Sequence, residues 1–124
     1  MGDLTHHFSR AEFSCKGKNC CARSAPVSLR LVKALQTLRD LCQSPISINS
    51  GFRCVKYNAA IGGAIGSYHT TGEAADIVIE GKTPEEMAEA AKMVAEFSDG
   101  GIGLYDGRIH VDIRGDGPAR WDNR

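Results

Sequence analysis

The sequence predicts an α+β fold in which a small, mostly antiparallel sheet has helices packed on one face. Segments with apolar residues at helical spacing alternate with short apolar strands, and a hairpin pattern comes last. The order of elements is helix, strand, helix, strand, helix and hairpin, which favours this fold class. The 124 residues contain no repeat and no linker, so we expect a single domain spanning residues 1–124.

The first long helix follows a segment that is expected to be a loop. Residues 1–25 show one candidate helical turn, at Ser9–Phe13. The helix is predicted from about Val27 to Cys42; Pro26 and Ser28 are suitable for its start, and Pro45 ends it. Its apolar face carries Leu31, Leu35, Leu38 and Cys42.

Two further helices are predicted. The segment CVKYNAAIG forms a short one that ends at Gly62 and Gly63. The segment TPEEMAEAAKMVAEF forms a longer one, in which Thr83 is the N-cap and Pro84 the first helical residue. Glu86 completes a capping box with Thr83.

Strands are predicted where apolar and polar residues alternate or where a short apolar run is flanked by turns. The first is ISINS (Ile46–Ser50), and the second is AADIVIEG, at about Ala75–Ile79. The glycine-rich segment GGAIGSYHTTGE between them is expected to be a loop. The segment GIGLYDGRIHVDIR predicts a hairpin with its turn at Asp106–Gly107.

The charge balance excludes several classes of partner. Lys+Arg and Asp+Glu both number 15, so the basic excess of a nucleic-acid-binding protein is absent and no membrane-surface role is expected. No segment is long and apolar enough to cross a bilayer. The N-terminal residues MGDLTHHFSRAEF lack an apolar run behind a basic start, so a secretory signal is absent or has been removed. We expect a cytoplasmic protein or one that is exported without a standard signal.

The five cysteines are an odd number, so a full disulfide framework would leave one over. Two interpretations stay open. The thiols are reduced and partly buried, or a second metal ion is bound at Cys15, Cys20 and Cys21. The segment CKGKNCC contains no CxxC pair, which is the usual sign of such a site.

The last strand is the most informative about function. Side chains alternate along a strand, so one face carries only apolar residues and the other only ionisable ones. A solvated outer face is the simplest explanation. A histidine between aspartate and arginine residues is more typical of the floor of a polar cleft. The ionisable residues are Arg108, His110, Asp112 and Arg114.

A second cluster lies in SYHTTGEAAD. His69 is in the glycine-rich segment, and Asp76 begins an apolar strand, where an unpaired carboxylate is costly. Together with His110 they offer two imidazoles and one carboxylate, the three protein ligands of a catalytic zinc site. The alternative is a hydrogen-bonded histidine and an aspartate that caps the strand.

The segments SGFR, SYHTTGEAADI and GIGLYDGRIHVDIR together resemble the SGYR, SxHxxGxAxD and HxD-type motifs of the zinc D-Ala-D-Ala peptidases. That superfamily includes L-alanyl-D-glutamate endopeptidases of phages and the hedgehog signalling domain. The resemblance extends from HFSRAEF to Ala119–Trp121 and is closest to the small phage and prophage branch. It implies a hedgehog-like zinc cleft on the α+β fold.

The resemblance also implies roles for individual residues. His69, Asp76 and His110 would hold one zinc ion per chain. Arg53 would stabilise the scissile carbonyl or bind a substrate carboxylate. Ser67 and Tyr68 would bind substrate, although Ser67 could instead support its loop.

One position departs from the family pattern. Many relatives have an acidic general base three residues before the last histidine, where this chain has Gly107. Asp112 is the first candidate for the base because it shares a strand face with His110. Asp106, in the hairpin turn, is the second candidate. Asp112 could alternatively orient a metal ligand.

The function implied by the resemblance is zinc-dependent hydrolysis of amide bonds in the cross-linking peptides of peptidoglycan, of carboxypeptidase or endopeptidase type. The protein would be a monomer of phage or prophage origin that is made in the bacterial cytoplasm and acts at the cell wall. One alternative is a zinc-binding module without catalytic activity, which the glycine at position 107 favours. Another is a phage tail component that retains the fold as architecture.

Overall fold

The computed structural model describes residues 2, 4–17, 27–64 and 66–124. Within these residues the chain forms four α-helices and two short 3-10 helices, at Arg10–Phe13 and Tyr68–Thr71. The α-helices are α1 (Leu29–Cys42), α2 (Val55–Ala60), α3 (Pro84–Ala91) and α4 (Ala95–Ser98). None of them is long and apolar enough to span a membrane.

Five strands form one sheet in the described part of the chain. They are β1 (Ile46–Ser50), β2 (Ala74–Ile79), β3 (Gly101–Tyr105), β4 (Arg108–Asp112) and β5 (Ala119–Asp122). Their order is β1-β2-β4-β3-β5, and all neighbours are antiparallel except β3 and β5. The predicted α+β fold with a mostly antiparallel sheet is therefore confirmed.

The local signals at several element boundaries act as the sequence indicates. The Ser28 hydroxyl accepts a hydrogen bond from the Leu31 amide and begins α1. Thr83 and Glu86 form the predicted capping box of α3. Gly107 adopts a positive φ of 76° in the turn between β3 and β4, a conformation that favours glycine.

Three features differ from the prediction. The long third helix is two helices, because the chain becomes extended at Val94 (φ −99°, ψ 119°). Burial of Val94 and Phe97 in the core overrides the local helix preference there. The segment predicted as a loop before β2 contains the second 3-10 helix, and β5 was not predicted at all.

The core lies on one face of the sheet, against the helices. Apolar side chains from β2, β4 and β3 are buried in one cluster with those of α1, α3 and α4. They include Ile77, Ile109, Ile102, Leu35, Met87 and Phe97. Because side chains alternate along a strand, those of Asp76 and His110 project from the opposite face of the sheet. The functional site is on that face.

Candidate metal centre

His69, Asp76 and His110 converge on the polar face of the sheet. One ligand atom from each lies within 4.8 Å of the others. Asp76 of β2 and His110 of β4 are directly paired across the antiparallel ladder, so the sheet register itself sets their separation. The three residues that the sequence nominated as metal ligands are thus brought together.

His69 is held by the 3-10 helix at Tyr68–Thr71, immediately before β2. The Ser67 hydroxyl accepts a hydrogen bond from the His69 amide at 3.2 Å and caps this helix. Gly72 ends it with a positive φ of 76°, which turns the chain into β2. The His69 carbonyl accepts a hydrogen bond from the Arg53 amide at 3.0 Å, so the loop is also tied to the chain after β1.

The tautomer of His69 follows from its neighbour. Its Nδ1 lies 2.7 Å from the carbonyl oxygen of Gly51, which can only accept a hydrogen bond. Nδ1 therefore carries the proton, and Nε2 has a free lone pair. Nε2 lies 3.2 Å from Oδ1 of Asp76.

His110 has the same arrangement with its nitrogens exchanged. Its Nε2 donates to Oδ2 of Asp112 at 2.7 Å, and its Nδ1 lies 3.2 Å from Oδ1 of Asp76. In both rings the nitrogen remote from Asp76 has an acceptor, and the nearer one offers a lone pair. A metal-binding histidine typically donates its other N–H in this way, which fixes ring and tautomer.

The donor set fits zinc. Two imidazole nitrogens and one carboxylate oxygen are the ligands of catalytic zinc sites, which keep one position open. The cluster borders a cleft of about 860 Å³, so substrate has access to that position. The side chains that line the cleft around the cluster include Arg53, Tyr57, Tyr68, Tyr105, Arg108 and Trp121.

Charge within the cluster is arranged to hold a cation. Burial by itself would raise the pKa of Asp76. The adjacent ring nitrogens of His110 and His69, which in the metal-free site can carry protons toward the carboxylate, outweigh burial and hold that pKa well below its usual range. Burial would lower the pKa of His110, but the carboxylates of Asp112 and Asp76 raise it. Asp76 is therefore ionised at neutral pH and available as an anionic ligand.

Asp112 is fully buried and accepts four hydrogen bonds besides that from His110. They come from the Gly101 amide at 2.8 Å and from the backbone, Nε and Nη2 of Arg114 at 3.1, 3.0 and 2.7 Å. Burial would raise its pKa, but the hydrogen bonds from His110 and Arg114 hold it well below its usual range. The Asp112 carboxylate lies on the side of the His110 ring that faces away from Asp76.

Arg53 lies beside the cluster, with Nη2 3.9 Å from Oδ2 of Asp76. Its side chain is 12% exposed. Its Nε is buried and has no hydrogen-bond partner among the described residues. A buried donor of this kind is costly unless a ligand completes its bonding.

Aromatic side chains line the site, and no motif in the sequence points to most of them. Trp121 of β5 packs on His110 with ring centroids 5.0 Å apart, and its Nε1 donates to the Tyr105 hydroxyl at 2.9 Å. Arg114 lies over the rings of Tyr68 and Trp121, at 4.7 and 5.4 Å from their centroids. Only the pairing of β5 with β3 brings Trp121 here, and no local pattern predicts that pairing.

Of the other residues that the sequence suggested for the site, Tyr68 and Ser67 lie in the cleft and Asp106 does not. Tyr68 lines the cleft, and its hydroxyl donates to Asp116 at 3.2 Å. Ser67 also lines the cleft while it caps the 3-10 helix. Asp106 is exposed at the hairpin turn and is not among the described residues that line the cleft.

Comparison with known proteins identifies the family of this chain. Residues 6–112 match the Peptidase M15 family. The chain belongs to the peptidase M15 family. The resemblance to zinc D-Ala-D-Ala peptidases is therefore confirmed, while the phage and prophage branch stays a prediction.

One similar protein is the "Zinc D-Ala-D-Ala carboxypeptidase" of Streptomyces albus G. It is 35% identical over 106 residues, which cover 85% of this chain and 42% of the relative. The chain thus spans about two fifths of the length of that protein. The similarity to a protein named for zinc supports zinc as the metal of the M15 site.

Proposed function

We propose that residues 1–124 form one zinc peptidase domain that hydrolyses amide bonds in the cross-linking peptides of peptidoglycan. The carboxypeptidase named above supports this substrate class. The observation that carries the proposal is the orientation of the two histidines at the edge of the cleft. In each ring, the nitrogen that faces away from Asp76 donates a hydrogen bond, and the other nitrogen directs its lone pair toward the same point beside Asp76. The site of action would be the bacterial cell wall.

In this proposal the metal is held by Nε2 of His69, a carboxylate oxygen of Asp76 and Nδ1 of His110. Bound zinc lowers the pKa of a coordinated water and polarises a substrate carbonyl. The chain's own residues then bind and orient the peptide. Gly51 and Asp112 keep the two imidazoles in the required tautomers.

Arg53 would bind the oxygen of the scissile carbonyl or a carboxylate of the substrate. Its Nε has no partner among the described residues, and its Nη2 is beyond hydrogen-bonding distance of Asp76. A guanidinium that is not fully bonded can donate two parallel hydrogen bonds to a substrate group. The fixed fork also stabilises negative charge that develops on oxygen.

The charge of the cleft supports an anionic peptide as substrate. Among the described residues that line it, Asp76 is the only acid, whereas Lys16, Arg53, Arg108 and Arg114 are basic. Such an excess of one sign concentrates a ligand of the opposite sign. Wall peptides carry free carboxylates and fit this requirement. Ser67 and Tyr68 would contact the peptide from the wall of the cleft.

Two roles are proposed for Asp112, as general base or as the residue that positions His110. Its buried carboxylate on the remote side of His110 favours the positioning role. Asp106, exposed in the hairpin turn, is the other candidate for the base. A zinc-binding module without catalytic activity is the alternative function, and the absence of a second acid among the described cleft residues favours it.

The experiment that separates the two functions is digestion of purified peptidoglycan, with new amino termini quantified and fragments identified by mass spectrometry. We expect release by the wild-type protein, loss after chelation and recovery with added zinc. His69→Ala should lose both metal and activity. His6→Ala, which removes an exposed histidine outside the cleft, is the matched control. Zinc binding without any peptide release would establish the non-catalytic module.

A further inference from the structure

Arg108 differs from the other arginine residues of the cleft in having no carboxylate partner. Arg114 donates two side-chain hydrogen bonds to Asp112, and Arg53 lies 3.9 Å from Asp76. Arg108 lines the same cleft but takes part in none of the arginine ion pairs found among the described residues. Its charge is therefore available to a ligand.

The guanidinium of Arg108 is held by an aromatic ring. Arg108 and Tyr105 are directly paired across the β3–β4 hairpin, and the Arg108 Cζ atom lies 4.9 Å from the centroid of the Tyr105 ring. A guanidinium over an aromatic face keeps the N–H groups at its edge free, and these can donate two parallel hydrogen bonds to a carboxylate. Because the ring already restricts the side chain, less rotamer freedom is lost when a ligand binds.

A series of contacts fixes this position relative to the metal centre. The Tyr105 hydroxyl accepts a hydrogen bond from Nε1 of Trp121 at 2.9 Å, and the Trp121 ring packs on His110 with centroids 5.0 Å apart. Arg108 also precedes His110 by two residues on β4, so both side chains project from the cleft face of the sheet. At a rise of about 3.4 Å per residue, their α-carbons are about 7 Å apart.

We propose that Arg108, positioned by Tyr105, determines substrate specificity by binding an internal free carboxylate of the wall peptide, about two residues from the scissile bond. An extended peptide has nearly the same rise per residue as a strand, so the spacing of Arg108 and His110 corresponds to about two peptide residues. This assignment rests on the proposed peptidase function. Arg108 selects among wall peptides by charge and does not touch the reacting carbonyl.

The test compares two synthetic wall peptides that end in D-Ala-D-Ala, one with its internal carboxylates free and one with them converted to carboxamides. We expect kcat/KM of the zinc-loaded wild type to favour the acid form by about 10- to 100-fold, the effect of one hydrogen-bonded charged group. Arg108→Gln should lose this preference. Arg30→Gln, at an exposed position of α1, is the matched control and should keep it.

Two variants of Tyr105 test the positioning of Arg108. Tyr105→Phe retains the ring and should keep most of the preference for the acid form. Tyr105→Leu removes the ring and should lose much of that preference, chiefly through a higher KM for the acid peptide. A purely structural defect would lower the rates on both peptides and leave their ratio unchanged.

The outcomes separate this proposal from the peptidase function. If the wild type cuts neither peptide, the peptidase proposal fails, and the affinities of the two peptides, measured by calorimetry, decide the role of Arg108 instead. Hydrolysis of both peptides with equal kcat/KM would leave the peptidase function intact and overturn the role of Arg108. So would a preference for the acid form that Arg108→Gln retains, or the absence of any difference in affinity between two peptides that are not cut.

Discussion

Asp112 binds the ring nitrogen of His110 that points away from Asp76, at 2.7 Å. The same carboxylate accepts hydrogen bonds from the Arg114 side chain and from the Gly101 amide, so its position is fixed from several sides. A buried anion at this place strengthens His110 as a ligand and holds its ring in one orientation. Direct access of Asp112 to a substrate in the cleft would require the carboxylate to leave these partners.

Replacement of Asp112 by asparagine therefore tests its role. We expect Asp112→Asn to weaken zinc binding by about ten- to a hundred-fold, with turnover per bound metal largely retained. A general base would behave differently, because its loss costs about 10²- to 10⁴-fold in rate at unchanged metal affinity. Zinc affinity by chelator competition and turnover at saturating zinc distinguish the two.

Asp106 provides the comparison for this variant. It lies in a turn whose chemistry already explains an aspartate, so Asp106→Asn is expected to change neither zinc affinity nor rate. A collapse of turnover in Asp106→Asn, with Asp112→Asn close to wild type, would assign the base to Asp106.

Arg53 is expected to act on substrate and not on the metal. Arg53→Lys should reduce turnover by about 10²-fold while zinc stays bound, because lysine cannot reproduce the planar fork. Steady-state kinetics and metal content measure the two effects separately. Arg30→Lys, at an exposed position of α1, is the matched control. Equal activity of the two variants would exclude Arg53 from the reaction.

Gly103 is predicted to be required for the packing of the Trp121 ring against β3. A Cβ at this position would lie 2.2 Å from two atoms of the Trp121 ring. Gly103→Ala must displace the ring that packs on His110, and we expect a loss of about 1–3 kcal/mol in the free energy of unfolding. Zinc affinity should fall as well. Denaturant unfolding and chelator competition measure these effects.

The control for this variant is Gly115→Ala. Gly115 has open space where a Cβ would stand and no positive φ. The Gly115→Ala variant should therefore have the same free energy of unfolding as the wild type. Equal stability of Gly103→Ala and Gly115→Ala would contradict the proposed packing of Trp121.

The ligand triad was accessible from sequence because local rules determine most of it. Alternation along β4 separates His110 and Asp112 from the apolar face, and the glycine-rich segment before β2 marks the loop of His69. The packing of Trp121 on His110 could not be predicted from the sequence, since it depends on the parallel pairing of β5 with β3.

The arrangement of the cysteines also depends on tertiary contacts. Cys15 lies beside Cys54, which is 39 residues further along the chain, with their Sγ atoms 3.8 Å apart. A second metal at Cys15, Cys20 and Cys21 stays a prediction, since Cys20 and Cys21 lie outside the described residues.

The zinc centre is tested most directly by an anomalous difference map recorded at the zinc absorption edge from crystals of the zinc-loaded protein. We predict a peak bonded to Nε2 of His69, a carboxylate oxygen of Asp76 and Nδ1 of His110. Absence of a peak at this position would contradict the account. So would a zinc ion bound through Nδ1 of His69 or Nε2 of His110, the nitrogens that face Gly51 and Asp112.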